Sequence, residues 1–331
     1  MPRRIPVPRR ADPLLALAVL CALLVSTPGP LEAQWPPDSL TNLRVLPDDI
    51  AFPELMRTMA GFTRALGVRC STCHVGEEGA PLSTYDFASD DPDLKKKARA
   101  MLRMVAAING EGLAGLESRA DPAVEVQCFT CHRGARLPRT LQAELRIAYD
   151  EGGLDALVAR YRELREAYHG RATYDFGPVA LADIGGELAQ AGASADAETV
   201  HALNVEMNPG DRFAQRQYAA LALANAFREG PGAGEARYLE LLAIYGPGAL
   251  PEPAVNRLGY TLLDRGDAEA AIVAFRLNAD AHPDSWNAWD SLGEAYERAG
   301  NDGAAVDAYR RSLELDPSNE RASERIRALG G

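Results

Sequence analysis

The sequence is short of positive charge. Its 331 residues carry 35 Lys and Arg against 47 Asp and Glu, a formal net charge of −12. That deficit excludes nucleic acid as a natural partner, because phosphate binding rests on clustered basic side chains. A membrane span is also missing: the unbroken apolar run Leu14 to Val25 holds only 12 residues, too few to cross a bilayer comfortably. Cysteine is scarce. Of the five present, Cys21 lies inside that apolar run and the other four stand in two spaced pairs, so none is left over for a disulfide. Apolar residues are plentiful, at 47%. They allow sizeable cores, and the length fits about two domains.

Residues 1–33 read as a secretory signal peptide. Arg3, Arg4, Arg9 and Arg10 form a positive start, the apolar run follows, and Pro28, Gly29 and Pro30 break it ahead of Leu31-Glu32-Ala33. Leu20 stands where a lipoprotein cleavage site needs a small residue, which argues against lipidation at Cys21. Removing this segment leaves 31 basic against 45 acidic side chains, a net charge of −14. Such a surface suits a basic docking face on a partner.

The four remaining cysteines form Cys70-Ser71-Thr72-Cys73-His74 and Cys128-Phe129-Thr130-Cys131-His132. Cys-x-x-Cys-His is the attachment pattern of c-type haem. Two thiols on one turn of chain add across the two vinyl groups, and the adjoining histidine becomes an axial iron ligand. Haem is joined to such motifs outside the cytoplasm, after translocation, so the motifs and the leader support each other and favour the general export route over a twin-arginine one. The expected cofactors are two covalently bound haem c, held by Cys70, Cys73, Cys128 and Cys131, with His74 and His132 as proximal ligands.

A helix is expected upstream of each motif. The first runs from Pro53 to Leu66, with proline in its first turn and Gly67 at its end. Its apolar face is Phe52, Leu55, Met56, Met59, Phe62 and Leu66. The second runs from Pro92 to Asn109, capped by Asp91 and ended by Asn109-Gly110. Four of the six methionines form two i,i+3 pairs, Met56/Met59 and Met101/Met104, one on each helix. A thioether is a good sixth ligand for haem iron and raises its potential; one such pair alone would read as core filling. Lys95, Lys96 and Lys97 read as a solvated helix face. Arg133, directly after His132, is a candidate for either solvent or a haem propionate. A backbone carbonyl is the expected acceptor that orients each proximal ring.

LMRTMAGFTRALGVRCSTCH, MLRMVAAIN and VQCFTCHRG together resemble the cytochrome c subunit of photosynthetic reaction centres. That family repeats a unit of helix, turn and motif, in which the helix supplies a methionine as distal ligand. By motif position the resemblance implies Met59 for the haem on Cys70 and Cys73, and Met101 for the haem on Cys128 and Cys131, with Met56 and Met104 as alternatives. It covers about a hundred residues. The family carries four haems as two halves, and this chain has one half. The family's additional histidine ligand, placed between the second helix and the second motif, is missing: no His occurs between Met104 and Cys128. A haem fold is thus implied more firmly than photosynthesis.

Beyond residue 140 the chain changes character. Leu154, Leu157, Val158, Tyr161, Leu164 and Tyr168 mark an amphipathic helix. Residues 286–319 follow the tetratricopeptide pattern, with Trp289, Leu292, Gly293, Tyr296, Ala305, Tyr309 and Pro317 at its landmark positions. Leu258, Gly259, Leu262, Ala271, Phe275 and Pro283 repeat it 34 residues earlier, and Ile184, Gly185, Leu188, Ala197 and Pro209 mark an earlier copy. A surplus of six residues between these two copies is expected as an insertion around Gly230-Pro231-Gly232-Ala233-Gly234. Four repeats follow, one of them degenerate. His169, His201 and His282 read as surface or packing residues.

The expected fold class is all-α: a two-haem c-type cytochrome domain at 38–140, linking amphipathic helices at 141–177, and a tetratricopeptide-repeat helical solenoid at 178–331. The expected function is an exported, periplasmic or otherwise extracytoplasmic electron carrier without substrate turnover. Its partner would be a redox protein or membrane electron-transfer complex, and the repeats would dock a protein. A membrane association through a retained leader helix is a further possibility. The alternatives are a peroxidase-like haem enzyme with one open iron site, and a repeat adaptor stapled by zinc on four thiolates.

Overall fold

The computed structural model describes residues 35–37, 39–117 and 122–330; the leader read at 1–33, with Cys21, lies outside them. Two compact units divide the chain between Pro138 and Arg139. The fold is all-α, and among the described residues the one β-type pairing is an isolated bridge between Val75 and Asp86.

Among the described residues, the first unit is built from three α-helices and long connecting turns. Helix α1 (Phe52–Leu66) has Pro53 in its first turn and ends on Gly67, whose φ of 65° is the left-handed stop conformation that glycine adopts without strain. Helix α2 spans Asp93–Ala107. Asp91 is not its cap: Pro92 occupies that position, and no side chain caps the helix. The end also differs from expectation. Asn109 and Gly110 do not stop the chain but lie in a wide turn, Ile108–Gly112, that continues the helix with a longer hydrogen-bond reach. Helix α3 is the short Cys128–His132. Apolar burial here is slight. Only Ala65 and Ala135 are buried hydrophobics among the described residues of this unit, while Val75, Met101, Met104, Phe129 and Leu137 stay exposed.

The second unit buries its apolar side chains in three successive clusters. Helix α4 (Leu141–Tyr168) breaks its regular backbone at Gly152 and Gly153. Leu145, Leu157, Tyr161 and Leu164 from it join Leu181, Ile184, Leu188, Val200 and Leu203 in one buried cluster. Four antiparallel helix pairs follow: α5 (Pro178–Gln190) with α6 (Ser194–Met207), α7 (Arg212–Glu229) with α8 (Pro231–Tyr245), α9 (Glu252–Asp264) with α10 (Ala268–Ala281), and α11 (Trp286–Arg298) with α12 (Asp302–Leu315). Helix α13 (Glu320–Ala328) covers the last pair, with Arg321 paired to Asp290 and Arg325 to Glu297.

The pair seam follows from one glycine and one ring. A methyl at Gly259 would sit 2.5 Å from Phe275, and one at Gly293 would sit 2.7 Å from Tyr309, so only glycine lets these helices close on their aromatic partners. The first pair uses the same register with a different ring: a methyl at Gly185 would sit 2.7 Å from the His201 ring. In the α7/α8 pair the order is reversed, with Phe227 on the first helix over Gly234 on the second. A second repeating device ties the second helix back to the start of the first in three of the four pairs. Asn204 Nδ2 donates to the Pro178 carbonyl (2.8 Å), Asn278 Nδ2 to the Glu252 carbonyl (3.3 Å) and Ser312 Oγ to the Trp286 carbonyl (2.9 Å). Each pair of partners is 26 residues apart.

The surplus in the degenerate copy is not a loop insertion at 230–234. Gly230 alone separates α7 from α8, and Pro231 to Gly234 form the first turn of α8. The added length lies largely in α7 itself, which has 18 residues where the other first helices have 13.

Candidate functional site

Both cysteine pairs fold as a single helical turn with histidine directly after it. Cys70–Thr72 is a 3₁₀ turn in which His74 N–H donates to the Cys70 carbonyl at 3.0 Å. Cys128–His132 is one α-turn, entered through Gln127 and Thr130, whose hydroxyl accepts from the Gln127 N–H at 3.0 Å. In either turn the i and i+3 thiols are neighbours on one face. All four thiols are free; Cys131 is exposed and the other three are half-buried. Burial is the main influence holding Cys73 and Cys128 above the ordinary thiol range, so both are neutral S–H groups at neutral pH. Cys70 also borders a shallow cleft of about 320 Å³ shared with Thr63, Val68, Leu82 and Tyr85.

The structure brings α1 and the second motif together. Gly134 N–H donates to the Ala65 carbonyl at 2.9 Å. Gly67 lies so close over Gly134 that a methyl there would fall 2.1 Å from its carbonyl oxygen. The first helix therefore ends on the loop that leaves the second motif, and Arg133 turns that loop with a φ of 46°. Met56 and Met59 on α1 are half-buried, whereas Met101 and Met104 on α2 are exposed at 43% and 46%.

The second motif is also held from upstream. Asn109 Nδ2 donates to the Val126 carbonyl at 2.9 Å, and the Val126 N–H donates to Asn109 Oδ1 at 2.8 Å. The asparagine side chain thus acts as a strand partner for the residues entering the turn. Its signal in the sequence was an ordinary helix terminator, and its real task depends on Val126, 17 residues away.

The two histidines differ. His132 Nδ1 lies 3.1 Å from the Ala135 carbonyl oxygen; it donates there, which leaves Nε2 with a free lone pair, the form a metal-bound histidine takes. His74 Nδ1 is buried without a hydrogen-bond partner. The Phe87 carbonyl favours its protonated form, but it makes no hydrogen bond of normal geometry. Burial first, then the charges of Lys95 and Arg99, lower the His74 pKa against that smaller effect, so His74 is neutral and ligand-competent at neutral pH. Its ring stands edge-on to Phe87 with centroids 4.9 Å apart, and Phe87 in turn meets Trp35 and Tyr85, each at 5.4 Å.

Lys95 does not lie on a solvated face as its sequence setting implied. Its Nζ donates to the carbonyls of Phe87, Ala88 and Ser89 at 2.7–3.1 Å and is 3.3 Å from Asp90. Arg99 bonds Asp90 at 2.7 Å and the Asn42 carbonyl at 3.0 Å. Burial opposes ionisation of Asp90, but hydrogen bonds from Arg99, Asn42 and Lys95 outweigh it and hold the carboxyl at about 2. Lys96 and Lys97 do remain exposed.

These residues fit covalent haem. The first unit leaves apolar side chains uncovered that a macrocycle would cover, the Cys73 and Cys128 thiols are neutral, and His132 presents a free ring nitrogen. Among the described residues no three His, Cys, Asp or Glu side chains converge on a metal-sized space, as a four-thiolate zinc site would require. No helix among them is long and apolar enough to cross a membrane.

Comparison with known proteins agrees with both halves. Residues 27–156 match the family described as Photosynthetic reaction centre cytochrome C subunit, and residues 286–326 match a Tetratricopeptide repeat family. The chain is 32% identical over 100 residues to the Photosynthetic reaction center cytochrome c subunit of Thermochromatium tepidum. That match covers 30% of this chain and 21% of the relative, so the chain spans about a fifth of the relative's length. Among solved structures, MamA aligns at 18% identity over 55% of this chain and 92% of its own, with a TM-score of 0.31. MamA 41-end from Desulfovibrio magneticus RS-1 aligns at 17% identity over 54% and 94%, with a TM-score of 0.30. The APC/C hetero-tetramer Cut9-Hcn1 aligns at 14% identity over 57% and 35%, also at 0.30.

Proposed function

We propose that the chain is an exported c-type cytochrome with two covalent haems. It carries electrons to or from a membrane or periplasmic redox partner, and its repeat unit docks it to protein. The observation that carries this reading is the shape of the two motifs: each is one helical turn bearing two adjacent thiols, with a histidine placed directly after. When bound, haem supplies a one-electron couple at its iron. Cys70, Cys73, Cys128 and Cys131 would hold the group by thioethers formed when their S–H groups add across its vinyl double bonds. His74 and His132 would ligate the iron. Met59 and Met101 are the distal ligands, with Met56 and Met104 as their alternatives, and residues 38–140 form the haem domain.

Residues 1–33 deliver the chain to the compartment where such thioethers are made. Residues 141–177 link to the repeats at 178–331. Stacked helix pairs of this type give an extended protein-binding surface, and the mature charge of −14 favours a partner with a basic face. Nucleic acid is not a partner, and no substrate is turned over. Whether the partner is a photosynthetic complex turns on the halved haem complement, which favours a different one.

The test is the visible and near-infrared spectrum of the full chain made with a c-haem maturation system, with a pyridine haemochrome assay. Two covalent haems per chain are expected, both low-spin, with a Met–Fe(III) charge-transfer band that weakens in Met59→Ala and again in Met101→Ala. A high-spin component in the wild-type chain would replace the carrier with haem enzyme chemistry. Absence of covalent haem would end the reading.

A further inference from the structure

The surroundings of His74 and His132 differ in two respects, and both bear on how readily each site keeps an electron. The first is ring Nδ1, the nitrogen that would be left over if Nε2 were the ligand. At His132 it donates to the Ala135 carbonyl at 3.1 Å. Such a bond makes the imidazole a stronger donor and favours the oxidised, more positive metal. At His74 the same nitrogen is buried and has no hydrogen-bond partner.

The second is charge. Lys95 and Arg99 have side chains only 11% and 12% exposed. Asp90 is the shared carboxylate of both, and Arg44 reaches it from the exposed rim at 3.4 Å. One part-exposed carboxylate against two enclosed cations leaves a net positive charge beside the loop that carries Phe87, the ring packed on His74. Arg133 and Arg136 lie near His132, but both are exposed, where solvent and salt weaken their field. A positive charge held away from water opposes a further positive charge on nearby metal far more strongly.

Both effects act in one direction. We infer that the site at Cys70, Cys73 and His74 has the higher reduction potential of the two, and that Lys95 is a positioning residue that sets it. The inference rests on the two-haem reading. Each site exchanges a single electron, the other party being an external one-electron carrier. A single electron on the chain therefore rests at the His74 site, and the His132 site passes electrons toward it.

The experiment is an equilibrium redox titration of the full chain, followed in the visible, after the haemochrome assay has counted two haems. Fewer than two haems per chain would end the two-haem reading before any potential is measured. With two present, a Cys70→Ser/Cys73→Ser chain is expected to lose the higher-potential component. Lys95→Met is expected to shift the higher component downward and leave the lower in place, and Lys95→Arg to restore it. Loss of the lower component in the double serine chain would overturn the inference. So would a Lys95→Met chain in which neither component moves, or in which both move equally. If the single-haem chain fails to fold, the Lys95 pair on the two-haem chain still decides.

Discussion

His201 shows how one residue can fit a repeat and still weaken it. It occupies the register that holds Phe275 and Tyr309 in later pairs, against the same glycine, yet it is only 4% exposed and its Nδ1 has no partner. Burial lowers its pKa, so the folded chain binds that proton less readily than the unfolded chain. The sign follows: stability is fully present above the ordinary histidine range near 6.5 and is lost as pH falls through it, by at most about 1.4 kcal/mol per pH unit for one proton. His201→Phe removes both the proton and the unpartnered nitrogen. Urea unfolding of the repeat unit is expected to show a gain of about 1 kcal/mol at pH 7 and a flatter stability between pH 7 and pH 5. An unchanged pH slope would show that His201 does not carry it.

At the scale of elements, each glycine's value depends on what faces it. Gly259 lies under Phe275 with no room for a methyl, whereas Gly186, one helix position past Gly185, has nothing within 4 Å. Gly259→Ala is expected to destabilise by about 1–3 kcal/mol through overpacking. Gly186→Ala should stabilise by up to about 1 kcal/mol through helix propensity, and thermal melts of the two variants should move in opposite directions. The same logic marks what the sequence could reveal. Repeats whose glycine precedes its aromatic by 16 residues were legible, and so was α1, whose proline start and glycine stop are local signals. The α7/α8 pair was opaque because Phe227 comes before Gly234 and the extra residues are helical. Asp91 was a plausible cap by composition, but cap position is set by where the 86–91 loop is tied, and that is decided by Lys95 and Arg99 acting on Asp90. Neither the cage around Lys95 nor the Asn109–Val126 pairing has a sequence signature, since each joins residues through the folded loop rather than through spacing. That each Cys-x-x-Cys-His run folds as one helical turn was legible because its residues are adjacent in sequence.

At the scale of the whole molecule, the two units bury apolar surface to very different extents. The second holds a core running through its helix pairs, with Leu145, Leu157, Phe227, Leu241 and Phe275 all at 0–1% exposure. Each such side chain contributes about 1.5–3 kcal/mol by burial. The first buries Ala65 and Ala135 alone among its described hydrophobics. Conformational entropy costs on the order of 1–2 kcal/mol per residue, and the first unit has few fully buried apolar side chains to set against it. On the two-haem reading, covalent haem supplies much of the remaining stability of the first unit, while the second has its own core. A Cys70→Ser/Cys73→Ser/Cys128→Ser/Cys131→Ser chain tests this division. Hydrogen exchange should find amides of α1 and α2 unprotected in that chain and those of α5 to α12 as protected as in the wild type. The melting transition of the repeats should stay in place. Protected α1 and α2 amides without covalent haem would mean that the first unit folds on its own residues.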